Sequence, residues 1–198
     1  MKHFELFLLS FIPIFVAVDA IGNIPLFVSL VQGTTKAQRH KIIANSITTA
    51  TSVAVVFMLA GKWVLNLLGI TIQDFQIAGG LLLFVIAAKL LLPGGGKTSL
   101  VNSHEKDLGV FPLGTPLITG PAVLTTTLMM LDSYGIVATF VSLVLNMLIV
   151  WITLVKADNI MKILGEGGTR AFAKIMYILL AAISIMMIRR GILGVFVR

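Results

Sequence analysis

The chain has no cysteine, so a disulfide framework, a thiol nucleophile and a thiolate metal site are all excluded. Charge is nearly as scarce. Only 12% of the 198 residues are charged, against about a quarter in a soluble domain. The three histidines, His3, His40 and His104, fall outside the centres of the apolar runs, and there is no His-Glu-x-x-His pair. No second mid-run acid is available to pair with Asp19 as an aspartyl dyad requires. These gaps remove the toolkit of an intramembrane enzyme, so the expectation is of no catalyst, no metal site and no cofactor. Basic residues outnumber acidic ones, 15 to 8, but none of the basic stretches carries the interleaved aromatics of a nucleic-acid surface. Their place is beside anionic lipid.

What the chain has in quantity is apolar sequence, 58% of all residues, with a mean hydropathy of +1.04. The runs are unbroken by alternation and reach the ~18 residues or more that cross a ~30 Å hydrocarbon core. Without water to satisfy backbone groups, such runs cross as helices. Six are expected, at about 4–31, 42–68, 72–92, 108–131, 134–155 and 171–193. Lys2 and the apolar run before Val18-Asp19-Ala20 loosely resemble a signal peptide. Glu5 offsets Lys2, Pro13 interrupts the run and apolar sequence resumes after Ala20, so it reads as a retained span.

Pro93 to Asp107 is the one stretch with clear loop chemistry, and Gly-Glu-Gly-Gly (165–168) marks another connection. Pro-Gly-Gly-Gly-Lys-Thr-Ser is not a phosphate loop, because its glycines lack the four-residue spacing and no strand precedes it. The chain therefore reads as a single transmembrane domain, 1–198, with halves of about 1–92 and 108–198 joined by a linker at 93–107. Ten Lys and Arg fall in the odd-numbered loops and five on the other side. By the positive-inside rule both termini are expected outside a cytoplasmic (inner) membrane.

The halves resemble each other. Phe11–Pro25 lies over Phe111–Pro121, with Pro13 matching Pro112 and Gly22 near Gly120, and 77–91 lies over 175–189, at offsets of 98 to 99 residues. An internal duplication with three spans per half inserts the second half from the opposite face. The fold class expected is thus an all-α integral membrane protein: six transmembrane helices as two inverted-topology three-helix repeats. Helices 1 and 4 are broken. Gly22 and Asn23 leave the helix and Pro25 restarts it; Thr119, Gly120 and Pro121 do the same in the second half. Each restarted half-helix is expected to aim free N–H groups, with the positive end of its dipole, at the membrane centre, where a carboxylate would sit. Asp19 would receive an ammonium group or a coupling cation, and its burial would let it exchange a proton near neutrality. The other reading of Asp19 is a structural acid bonded to a neighbouring Thr or Asn.

Polar stripes suggest a lined path. Asn45, Thr48, Thr49 and Ser52 share one helix face, as do Thr139, Ser142, Asn146 and Thr153. Small hydroxyl residues also join membrane helices, so packing remains open as the explanation. The substrate-binding residues expected are Asp19, Gly22, Asn23, Pro25, Thr119, Gly120, Pro121, Ala122, Thr125, Asn45, Thr48 and Asn146.

VDAIGNIPLFVSL, QIAGGLLLFVIAAKLLL, FPLGTPLITGPAVLTT and RAFAKIMYILLAAISIMMIRRGI resemble, in that order, the signature segments of the MarC family. The resemblance covers essentially the whole chain. It implies six spans, a fold akin to the LysE-type exporters and, for members of the NAAT type, cation-coupled transport of glycine, alanine and similar small amino acids. Asp19-Ala20 replaces the family's Asp-Pro, implying a shallower first break. Gly120-Pro121-Ala122 replaces Gly-Pro-Gly, setting a methyl beside the carboxylate seat. The function expected is secondary transport of small neutral amino acids by alternating access, coupled to a proton or another cation. An exporter or channel for ions or other small solutes in the same fold stays open as the alternative.

Overall fold

The structure is a computed structural model that describes residues 2–31, 33–92 and 109–196; the expected linker, 93–107, lies outside the described residues. Every element among them is helical. In chain order they are α1 (Lys2–Val18), α2 (Asn23–Leu30), α3 (Lys36–Leu68), α4 (Ile72–Leu91), α5 (Gly109–Ile118), α6 (Pro121–Val155) and α7 (Ala157–Phe196).

Local chemistry sets most of these limits. Thr35 caps α3 by accepting from the Gln38 amide, and the Gln38 side chain returns the bond. Gly69 closes α3 in the left-handed region at φ 68°, where glycine carries no Cβ penalty. Two residues on, Thr71 opens α4 through a reciprocal pair with Asp74. α5 is irregular: Phe111 and Thr115 have extended dihedrals, and the peptide bonds before Pro112 and Pro116 are cis. The core gathers Ile14, Phe27, Ile42, Leu113, Ile118 and Leu143, all buried.

Five helical runs in the described residues are long and apolar enough to cross a membrane: Glu5–Val28, Lys36–Leu68, Ile72–Leu91, Pro121–Val155 and Ala171–Phe196. Six were expected. The difference arises because the expected spans at 108–131 and 134–155 share one helical run, α6, whose dihedrals leave the helix only at Gly135 (φ 79°, ψ 172°). At 1.5 Å per residue, 35 residues would extend about 52 Å, well beyond one hydrocarbon core. Two ion pairs show where the chain goes instead. Asp132 pairs with Lys62, near the end of α3, and Arg39, near the start of α3, donates from Nη1 to both carboxylate oxygens of Asp158 (2.5 and 2.7 Å). Between Asp132 and Asp158 the chain has therefore come back along α3, and Gly135 is the turn. The first arm of α6 follows α3; the second runs against it.

The expected connection at 165–168 is also different, since α7 stays helical through it. A glycine in a helix interior costs only about 1 kcal/mol, and the helix extends across all four positions.

α1 runs in the same direction as the second arm of α6, joined by hydroxyls. Ser10 Oγ and Ser142 Oγ are 2.7 Å apart, Ser142 Oγ donates to Phe7 O (3.3 Å), and Asn146 Nδ2 donates to Phe11 O (3.3 Å) and Ser142 O (2.9 Å). Thr139 and Thr153 bond back to their own helix, at Gly135 O and Ile149 O. This stripe is packing rather than the lining of a path. Ser142→Ala is expected to lower the unfolding free energy by about 1 kcal/mol, read as a drop in the thermal unfolding midpoint in detergent. The α3 stripe divides: Asn45 and Thr49 press against Gly109 and Gly114 of α5, whereas Thr48 and Ser52 are exposed on the outer face.

α4 and α7 pack antiparallel with glycines at the contact. A methyl at Gly80 would stand 2.8 Å from Ser184 O, and one at Gly191 would stand 2.8 Å from Gln73 O.

Candidate functional site

The first break begins where α1 stops. Asp19 turns the chain with a left-handed φ of 47°, a conformation no other non-glycine adopts among the described residues. For an L-residue this is costly, and Asp and Asn accept it best because the short polar side chain bonds locally. Here Asp19 Oδ1 accepts from the Gly22 amide at 3.1 Å, while Asp19 O accepts from the Asn23 amide at 3.1 Å. The Ile24 amide bonds Ile21 O at 3.1 Å, and Pro25 has no N–H to offer. Gly22 leaves the Asp19 carboxylate its seat: a methyl there would land on it.

The expectation of free N–H groups at both half-helix starts therefore fails at α2. Its first-turn amides are taken, and the carboxylate of its own chain fills the anion position at its tip. Asp19 is also exposed along the side of the break, which corrects the expectation of burial. Its bond goes to a backbone amide, not to a neighbouring Thr or Asn.

The second break has no such cap. α5 ends at Ile118, and Thr119 is fastened on both sides. Its amide donates to Gly114 O at 3.1 Å and its hydroxyl to Ala50 O of α3 at 3.0 Å. Gly120 is the N-cap with extended dihedrals (φ −92°, ψ 179°), and Pro121 occupies the first turn. The Leu124 amide closes on Gly120 O at 3.0 Å. Among the described residues nothing accepts from the amides of Gly120, Ala122 and Val123. They form the positive end of the first arm of α6, which runs from Pro121 to the turn at Gly135, with no anion of its own.

The two breaks meet at one cavity of about 60 Å³. Asp19, Gly22 and Asn23 line it from the first break; Gly120, Ala122 and Val123 line it from the second. Asn23 is 6% exposed. Its Nδ2 donates to Val18 O at 2.9 Å, and its Oδ1 accepts from no described group. The cavity is thus lined by acceptor side chains, Asp19 and Asn23, from the first break and by residues with unpaired amides from the second. Leu83 of α4 and Leu180, Ile183 and Met187 of α7 give the same cavity an apolar wall.

Of the residues singled out from sequence, Asp19, Gly22, Asn23, Gly120 and Ala122 come together at this cavity. The others stand elsewhere. Pro25 is buried in the first turn of α2, and Thr119 faces α3. Pro121 packs on Gly79, where a methyl would strike the proline ring. Thr125 Oγ1 bonds Pro121 O at 2.8 Å, Asn45 abuts Gly109, Thr48 is exposed, and Asn146 joins α6 to α1. Sequence reasoning missed the apolar wall. The signal it had was Gly79-Gly80, a pair that lets α4 approach two neighbours closely. Among the described residues no three metal-ligating side chains gather.

A family profile described as "MarC family integral membrane protein" matches residues 4–196. A UPF0056 membrane protein of Methanocaldococcus jannaschii is 35% identical, over 99% of this chain and 90% of its own length. A UPF0056 membrane protein of Pyrococcus abyssi is 29% identical, over 96% of both chains. The UPF0056 inner membrane protein YhgN of Escherichia coli is 30% identical, over 88% of this chain and 89% of its own. No solved structure matches the chain.

Proposed function

The chain belongs to the MarC family of integral membrane proteins, and we propose that it is a secondary transporter of small neutral amino acids in the cytoplasmic membrane. It acts as a carrier, not an enzyme, by alternating access between two inverted three-span halves, with both termini outside. A proton or another cation supplies the driving gradient.

The observation that carries this reading is the polarity of the cavity between the breaks. A zwitterion needs acceptors for its ammonium group and donors for its carboxylate, a few ångströms apart. Asp19 and Asn23 Oδ1 offer the first; the amides of Gly120, Ala122 and Val123 offer the second. At roughly 10–15 Å³ of such space per water, about 60 Å³ accommodates about four to six heavy atoms, the size of glycine or alanine. A charge-assisted bond at each end is about twice as strong as a neutral one.

The inverted arrangement draws support from the course of the chain. α1 runs with the second arm of α6, while α5 and the first arm run with α3, against it. Counting α6 as two crossings about Gly135 gives six spans, with the two broken segments entering the cavity from opposite faces. Inverted-repeat transporters keep their sites at such a meeting of broken helices.

Thermal unfolding of the purified protein across a panel of amino acids and metal salts tests the reading. Glycine and alanine are expected to raise the midpoint, since a ligand at 100 times its Kd stabilises by about 2.7 kcal/mol. Stabilisation by metal salts with none by amino acids would point instead to an ion exporter in the same fold.

A further inference from the structure

The cavity has charged or polar chemistry at two ends, but its remaining wall is apolar and comes from helices outside both breaks. Leu83 and Met187 are each 5% exposed, and Ile183 lines the same wall. Leu83 Cδ1 lies 4.0 Å from where a Cβ on Gly120 would stand, beside the N-cap of α6. α4 is held there without slack. Gly79 backs onto the Pro121 ring, and a Cβ at Gly80 would stand 2.8 Å from Ser184 O.

We propose that Leu83 and Met187 are specificity-determining residues that form the subsite for the substrate's side chain and limit it to about the size of a methyl group. This rests on the amino-acid reading of the cavity. With the ammonium group at Asp19 and the carboxylate on the amides of α6, the Cα substituent faces the wall of α4 and α7. A rigid wall excludes added methylenes because overpacking strains it. It admits them once a large side chain is truncated.

The test is the affinity of the full-length protein for glycine, alanine, 2-aminobutyrate and norvaline, which lengthen by one carbon at each step. Wild type is expected to bind alanine at least tenfold more tightly than norvaline. Leu83→Ala is expected to bring norvaline to within threefold of alanine, and Met187→Ala to do the same for 2-aminobutyrate. Equal affinity of wild type for alanine and norvaline overturns the proposal, whether or not the variants fold. So does a folded variant that keeps the wild-type ratio or binds none of the four. If wild type binds no amino acid, the amino-acid reading itself has failed. If it binds alanine and norvaline alike, only the subsite has.

Discussion

Replacing Asp19 with asparagine is expected to reduce alanine uptake into proteoliposomes by about 10- to 100-fold. The change is nearly isosteric. Asparagine tolerates the left-handed conformation that Asp19 adopts at φ 47°, and its Oδ1 still accepts from the Gly22 amide. The turn and the start of α2 survive, so the unfolding midpoint should move by no more than about 4 °C. What is lost is the negative charge facing the ammonium group. A hydrogen bond to a charged partner contributes about 1.5–3 kcal/mol, which is the range of the expected loss. Asp19→Ala separates the two roles, because alanine disfavours that backbone by roughly 1–2 kcal/mol. It should lower both uptake and stability. Uptake unchanged in Asp19→Asn would remove the carboxylate from substrate recognition.

A second large effect comes from two glycines whose added methyl groups meet different obstacles. In Gly22→Ala the methyl strikes the Asp19 carboxylate, the end of a side chain that can swing away. The fold adjusts at little cost, but the carboxylate leaves its seat. Uptake is expected to fall at least tenfold, with the unfolding free energy within about 1 kcal/mol of wild type. In Gly79→Ala the methyl strikes the ring of Pro121, which is buried and fixed to the backbone at the start of α6. The helices must separate, and overpacking of this kind costs about 1–3 kcal/mol. Gly79→Ala should therefore register mainly in thermal unfolding. Parallel uptake and unfolding measurements on the two variants check both outcomes. If Gly22→Ala transports normally, the carboxylate does not need the position the structure gives it.

The two breaks were legible in the sequence because their residues act locally. Gly22, Asn23 and Pro25 interrupt a helix wherever they occur, and Gly120-Pro121 marks a start by its own stereochemistry. Their difference was not legible. Whether a helix start is free depends on the rotamer of Asp19 and on which amide its oxygen reaches, and that is settled in three dimensions. The stripe at Thr139, Ser142 and Asn146 had the spacing of a lined path, but spacing does not say whether the facing surface is water or the backbone of α1. Thr48 and Ser52 share a face with Asn45, yet a helix sector is wide enough that part meets α5 and part remains outside. Leu83, Ile183 and Met187 could not be picked out because an apolar side chain in a span looks the same against lipid, core or cavity. The reversal at Gly135 falls beside the gap left between the expected spans 108–131 and 134–155, where Asp132 is the one charged residue of α6. Helix across 165–168 was missed because a glycine cluster favours a loop without forbidding a helix, whose interior tolerates each glycine at about 1 kcal/mol.

The central claim is that one zwitterion spans the two interrupted helices, with its ammonium group toward Asp19 and its carboxylate toward the start of α6. A structure determined at saturating alanine tests it most directly. The account predicts the ligand in the cavity, its nitrogen within hydrogen-bond distance of Asp19 and Asn23 Oδ1, and its carboxylate oxygens on the amides of Ala122 and Val123. Alanine bound elsewhere, lying in the reverse orientation, or beside a helix that runs unbroken through residues 19–22 or 119–120 would contradict it.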